Sequence, residues 1–165
     1  MKRIARFEKV SLDRFVADSN GVANATDYDT VKLPMRATKG SAGYDFYSPI
    51  DFTLAPNETI KIATGIRAYM EDGWVLKIYP RSGLGFKYRL GLNNTVGIID
   101  QDYYYSDNEG HIQIKMTNAS NEGKVVSVKA GEAFAQGIFI EYGITFDDEV
   151  TETRNGGFGS TNKGK

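Results

Sequence analysis

His111-Ile112-Gln113-Ile114-Lys115-Met116-Thr117-Asn118 alternates apolar and polar side chains along its length. A β-strand sends successive side chains to opposite faces, so Ile112, Ile114 and Met116 turn one way while Gln113, Lys115 and Thr117 turn the other. The stretch predicts a strand with one buried and one wet face. Working outward, residues 59–69, 74–79, 124–128 and 133–140 read as further strands. Turn signals separate them at Pro56-Asn57-Glu58, Asp72-Gly73, Asp107-Asn108-Glu109-Gly110, Asn121-Glu122-Gly123 and Ala130-Gly131. No long segment of 3.6-residue period interrupts them. Many short strands at this spacing specify an all-β sandwich, jelly roll or barrel.

Upstream of residue 40 the pattern is looser. Residues 3–10 suit an edge strand, and Ser11 is placed to cap one or two helical turns carrying Leu12, Phe15 and Val16 on one face. From Asp18 to Thr30 the chain is rich in Asn, Asp, Ala and Gly and reads as a loop. Leu33 is held extended by Pro34.

Composition narrows the function classes. At 165 residues the chain is expected to form one domain, with a core that needs no staples. Lys and Arg number 20 against 21 Asp and Glu, with a pI near 5.9. There is no global basic field for nucleic-acid binding, and any anion must be met locally. Absence of cysteine excludes disulfides, thiolate zinc sites and thiol catalysis. The single histidine, His111, rules out a His-rich metal site and reads as a surface or edge residue. Residues 1–10 lack an apolar signal core, and no apolar run reaches membrane-spanning length. The expectation is a soluble, cytoplasmic protein without membrane contact.

Asn93 to Tyr105, NNTVGIIDQDYYY, is where chemistry concentrates. Thr95-Val96-Gly97-Ile98-Ile99 suits a buried strand whose glycine lets a flat ligand approach the backbone. Asp100 and Asp102 follow directly, then three tyrosines. The arrangement fits a general base beside an aromatic wall, and equally a strand ending in a polar turn. Tyr79-Pro80-Arg81-Ser82-Gly83-Leu84-Gly85 ends a strand at a proline and places Arg81 and an N-capping Ser82 at the start of a short helix. That is either a local anion site or an ordinary helix cap. Ser41-Ala42-Gly43-Tyr44-Asp45-Phe46 offers one carboxylate beside a small-residue turn, by itself an Asx turn. Residues 154–165 are too glycine-rich to hold structure alone, yet carry Phe158, Ser160, Thr161 and three cations. Such a tail can order over a ligand or simply solvate the chain.

Taken in order, Ala42-Gly43-Tyr44-Asp45-Phe46-Tyr47-Ser48, Pro80-Arg81-Ser82-Gly83-Leu84-Gly85, Gly97-Ile98-Ile99-Asp100-Gln101-Asp102-Tyr103, Gly131-Glu132-Ala133-Phe134-Ala135-Gln136 and Arg154-Asn155-Gly156-Gly157-Phe158-Gly159-Ser160-Thr161 resemble the five motifs of the trimeric dUTP pyrophosphatases, or dUTPases. The resemblance implies a distorted jelly-roll or β-clip-like protomer with one short helix. It also implies a homotrimer with active sites at subunit interfaces and a flexible C-terminal arm, residues 153–165, that closes a neighbour's site. The activity implied is Mg²⁺-dependent hydrolysis of dUTP to dUMP and pyrophosphate.

The resemblance also assigns roles. Asp100 matches the base that activates the attacking water. Tyr103 matches the ring that packs on deoxyribose and excludes a 2′-hydroxyl. Asn94, Gly97, Ile98 and Ile99 match the backbone that pairs with uracil, over which Phe158 would stack. Arg81, Ser82, Gly83, Gln136, Arg154, Gly159, Ser160 and Thr161 match phosphate ligands. Asp45 matches the carboxylate that holds Mg²⁺ through water while the triphosphate carries the ion.

Three departures stand out. Tyr104-Tyr105-Ser106-Asp107-Asn108-Glu109 lengthens the hairpin tip relative to the shortest family members, Asn162 stands where the tail often has glycine, and residues 1–30 form an extension outside the motifs. The dCTP deaminases share the fold implied, but Lys115 stands where they would carry a glutamate. A dUTP-gated binding protein with a regulatory protein partner is the other alternative.

Overall fold

The computed structural model describes residues 2–152 and Arg154. The elements run β1 (Ala5–Lys9), α1 (Leu12–Ser19), α2 (Ala25–Tyr28), β2 (Tyr44–Tyr47), β3 (Phe52–Leu54), β4 (Thr59–Ala63), β5 (Ile66–Met70), β6 (Trp74–Pro80), α3 (Ser82–Tyr88), β7 (Leu90–Leu92), β8 (Gly97–Ile99), a 3-10 helix (Gln101–Tyr105), β9 (Gln113–Asn118), β10 (Val126–Val128) and β11 (Ala133–Glu141). The strands form an all-β jelly roll of four antiparallel groups: β2-β11-β6-β8, β4-β9-β7, β1-β5 and β3-β10.

The alternation at 111–118 behaves as its pattern demands. Ile112, Ile114 and Met116 are buried, and in the β4–β9 ladder Ile62 faces Ile114 while Ile60 faces Met116. On the wet face Thr59 lies opposite Thr117, their hydroxyls 2.6 Å apart. Phe15, Phe46, Phe134, Leu76 and Ile78 complete the centre of the core. A fully buried side chain of this size contributes about 1.5–3 kcal/mol. Val10, Phe15 and Ala23, all from the N-terminal extension, belong to this same cluster.

The run 59–69 is two strands rather than one. At the break, the Gly65 N–H donates to His111 Nε2, the Gly65 carbonyl accepts from Val10, and Thr64 Oγ1 donates to the Ile112 carbonyl. The Gly65 backbone groups are thus diverted from ladder pairing, and β4 and β5 join different sheets. The expected single short helix is also corrected, because three α-helices and the 3-10 helix are present among the described residues. Ser11 caps α1 through its hydroxyl as expected, and the helix continues to Ser19, where Asn20 ends it in the left-handed conformation. The loop expected over 18–30 contains α2, four residues closed by a capping box between Asn24 and Asp27. So short a helix has no hydrophobic period to betray it.

Candidate functional site

The order β2-β11-β6 sets the first group of site residues. Gln136 on β11 lies opposite Asp45 on β2 and, on its other side, opposite Tyr79 on β6. Two residues beyond Tyr79 the chain reaches Arg81. Asp45, Arg81, Ser82, Gly83 and Gln136 line one cleft of about 840 Å³. Arg81 Nε stands 3.2 Å from Asp45 Oδ1, and Nη2 donates to Oδ2 at 3.4 Å. Gln136 Nε2 donates to the Pro80 carbonyl at 3.3 Å. Arg81 is the N-cap of α3, extended in backbone and without a side-chain cap bond, so Ser82 is the first helical residue and not the cap. Its hydroxyl is therefore not committed to capping, and Ser82 and Gly83 are both exposed.

The second group lies at the free edge of the same sheet. β8 pairs with β6 alone, Gly97 opposite Ile78 and Ile98 opposite Lys77. Its other edge is therefore open to an incoming partner among the described residues. Asn94, Gly97, Ile98 and Ile99 line a pocket of about 300 Å³ backed by Ile78 and Leu92. A Cβ on Gly97 would sit 3.1 Å from Ile78 Cβ, so the glycine is what lets β8 lie this close to β6. The turn before it is fixed by Thr95 N–H to Leu92 O at 3.0 Å and Val96 N–H to Asn94 O at 2.7 Å.

Asp100 and Tyr103 form the third group, with Arg154. Asp100 precedes the 3-10 helix and keeps its carboxylate about half exposed. Arg154 Nη2 reaches Asp100 Oδ2 at 2.5 Å, and Nε reaches Asp102 Oδ1 at 3.0 Å. The three tyrosines differ in burial, Tyr105 being exposed and Tyr104 half-buried. Tyr103 is buried, its hydroxyl donating to the His111 carbonyl at 2.8 Å and accepting from Asn108 Nδ2 at 2.7 Å. Burial raises its phenol pKa above the ordinary value. Tyr104 donates to Glu8 Oε2 at 2.6 Å and lies under the Arg67 guanidinium, 3.7 Å from ring centroid to Cζ. Gly110 packs behind this helix with φ +68°, and a Cβ there would stand 2.7 Å from both the Tyr103 carbonyl oxygen and Tyr104 Cα.

His111, expected at the surface, is fully buried. Because Gly65 N–H donates to Nε2 at 2.9 Å, Nδ1 carries the proton and donates to Asp18 Oδ2 at 2.7 Å. Burial lowers the pKa of the imidazole, against an opposing pull from Asp18. Asp18 and Glu109 were given no role by the sequence. Arg14 and Asp18 stand four apart on α1, a faint signal, but no spacing connects Asp18 with a histidine 93 residues away.

The predicted residues thus gather into three constellations. The lining of the Asp45–Arg81 cleft does not include Asp100, Tyr103 or Asn94. Phe158, Gly159, Ser160 and Thr161 lie outside the described residues. No group of three or more potential metal-ligating His, Cys, Asp or Glu occurs among the described residues. Two carboxylates, Asp45 and Glu132, line the Asp45–Arg81 cleft, too few for an all-protein cage and suited to Mg²⁺ that keeps its waters and would ride on phosphates. No described helix is long and apolar enough to cross a membrane.

The dUTPase family model matches residues 29–162. The chain belongs to the dUTPase family. A deoxyuridine 5′-triphosphate nucleotidohydrolase of Lactococcus lactis subsp. lactis is 43% identical over 134 residues, covering 79% of this chain and 88% of its own. The crystal structure of dUTPase from Streptococcus mutans superposes with a TM-score of 0.65 at 34% identity, over 84% of this chain and 97% of that one. A mutant dUTPase of phage phi11 of S. aureus, whose structure concerns coordination of a structural Mg(II) ion, shares the fold at 19% identity. Its TM-score is 0.65, over 91% of this chain and 98% of that one. All three constellations fall within the dUTPase match, whereas β1, α1 and α2 lie outside it.

Proposed function

We propose that this protein is a dUTP diphosphatase, converting dUTP and water to dUMP and pyrophosphate, with Asp100 as the base. The observation that carries the reading is the convergence of Asp45, Arg81, Ser82, Gly83 and Gln136, from three separate segments, on one cleft with anion-binding chemistry. In this reading the uracil edge pairs with the open backbone edge of β8 and with Asn94. Donors and acceptors read at that edge reject cytosine, while close packing at Gly97 excludes the 5-methyl group of thymine. Tyr103 presents its ring to the deoxyribose, with its hydroxyl already held by His111 and Asn108.

Asp100 takes a proton from a water whose oxygen bonds to the α-phosphorus. The bond from that phosphorus to the oxygen bridging the β-phosphate breaks, and the electron pair leaves with pyrophosphate. Arg81, Gln136, Ser82 and the Gly83 backbone bind and orient the phosphates, and a base so positioned contributes about 10²–10⁴ in rate. Asp45 would hold Mg²⁺ through water, and the bound ion would supply charge neutralisation to the triphosphate. Arg154, which pairs with Asp100 and Asp102, would turn to the phosphates with Gly159, Ser160 and Thr161 as the arm closes and Phe158 covers the base.

The separation of the three constellations within one chain supports a homotrimer whose sites are completed between subunits, each chain forming one domain with its C-terminal arm reaching a neighbour. We place the activity in the cytoplasm, where it would limit uracil entering DNA and supply dUMP for dTMP synthesis. The test is pyrophosphate release with Mg²⁺ from dUTP, dTTP, dCTP and UTP, alongside the particle mass. Release from dUTP alone by three chains is expected, and binding without release would favour the gated-binding alternative.

A further inference from the structure

We infer that the N-terminal helix α1 positions the sugar-facing tyrosine, with Asp18 acting through His111 on Tyr103 as a positioning residue for discrimination between deoxyribose and ribose. The inference rests on the dUTP reading above. Each link is on hand. Arg14 pairs with Asp18 at 3.3 Å, and Asp18 Oδ2 accepts from His111 Nδ1 at 2.7 Å. The opposite ring nitrogen is held by the Gly65 N–H, and the backbone carbonyl of the same histidine accepts the Tyr103 hydroxyl at 2.8 Å. His111 is therefore gripped at both ring nitrogens, and its carbonyl is the fixed point to which Tyr103 is tied.

A second set of contacts holds the same loop from the same side. Ser11 N–H and Oγ donate to the two carboxylate oxygens of Glu109 at 2.8 and 2.6 Å, so the residue that caps α1 also clamps the loop next to Gly110. Tyr104 is tied to Glu8 of β1. All the partners on the extension side, Glu8, Ser11, Arg14 and Asp18, precede the region matched by the family model. A catalytic loop lengthened at residues 104–109 has more conformations to lose, and the extension removes that freedom by direct bonds to it.

The test compares kcat/KM for dUTP and for UTP in the full chain carrying Asp18→Ala, Asp18→Asn or, as a control, Ile62→Val. Ile62→Val lowers stability in the core away from the site. Asp18→Ala is expected to lower the dUTP-over-UTP ratio on the order of tenfold, chiefly through KM for dUTP, less than the hundredfold a full 1 Å misplacement can cost. Asp18→Asn keeps an acceptor for Nδ1–H and restores most of the ratio, while Ile62→Val leaves it unchanged. Where Asp18→Ala does not fold, Asp18→Ser, whose oxygen stops short of the ring, gives the same comparison. A wild-type ratio in a folded Asp18→Ala or Asp18→Ser protein overturns the positioning role alone. Wild-type protein that hydrolyses neither nucleotide overturns the functional reading and this inference with it.

Discussion

The backbone N–H of Gly65 points at Nε2 of His111 from 2.9 Å, and this one contact fixes both the tautomer and the charge of a buried imidazole. A proton on Nε2 would face another donor. Burial is the main cause of the lowered pKa, with Arg14 adding to it and Asp18 and Glu109 opposing. Below about pH 6.5, the ordinary value, the unfolded chain binds a proton here that the folded chain does not. Stability from His111 is therefore complete above that pH and is lost as pH falls from it through the folded pKa. Thermal midpoints measured between pH 7.5 and 5 should fall more steeply for wild type than for His111→Gln. His111→Gln should itself cost about 1–3 kcal/mol at pH 7.5 through unpaired buried groups.

Gly110→Ala should be more damaging than Gly73→Ala. Both glycines have positive φ, and a left-handed alanine costs about 1–2 kcal/mol at either place. At Gly73 the new Cβ meets open space, whereas at Gly110 it meets backbone atoms of Tyr103 and Tyr104. Chemical denaturation should separate the two variants. Gly110→Ala should also lose dUTP turnover through displacement of Tyr103, and equal stabilities would refute the packing argument.

Asp100→Asn is expected to retain dUTP binding and lose about 10²–10⁴ in kcat, because the amide cannot take the proton. Calorimetric affinity beside steady-state turnover checks it. Retained turnover would remove Asp100 from the role of base.

Chelation of Mg²⁺ with excess EDTA should abolish dUTP turnover. Asp45→Asn should raise the Mg²⁺ concentration for half-maximal rate several-fold, because one carboxylate holding the ion through water tunes affinity without creating it. Arg81 would then keep an amide oxygen to donate to and lose only the charge of its 3.2 Å partner. An unchanged Mg²⁺ requirement would show that Asp45 serves only to orient Arg81.

The strands were legible because alternation is local: residues 74–79 and 133–140 are found within a residue at either end as β6 and β11. The Asp45–Arg81–Gln136 grouping was legible only through the resemblance of the motifs that hold these residues; what joins them is strand pairing, which sets Gln136 opposite Asp45 and Tyr79. What escaped was set by long-range pairing. Nothing near Thr64 and Gly65 announces that their backbone groups leave the ladder for His111 and Ile112, and nothing in α1 announces that Asp18 meets His111. A lone histidine among polar neighbours reads as surface until the partners for both nitrogens are seen. α2 was missed because four residues held by Asn24 and Asp27 carry no period.

The contacts of Glu8 with Tyr104 and of Ser11 with Glu109 make the extension and the lengthened hairpin tip a single transplantable part. Trimming residues 2–20 alone would strand the Tyr104 hydroxyl and the Glu109 carboxylate on the tip, and shortening the tip alone would strand Glu8 and the α1 cap. A protein engineer moving this tip to another scaffold of the same shape would have to carry the first twenty residues along with it.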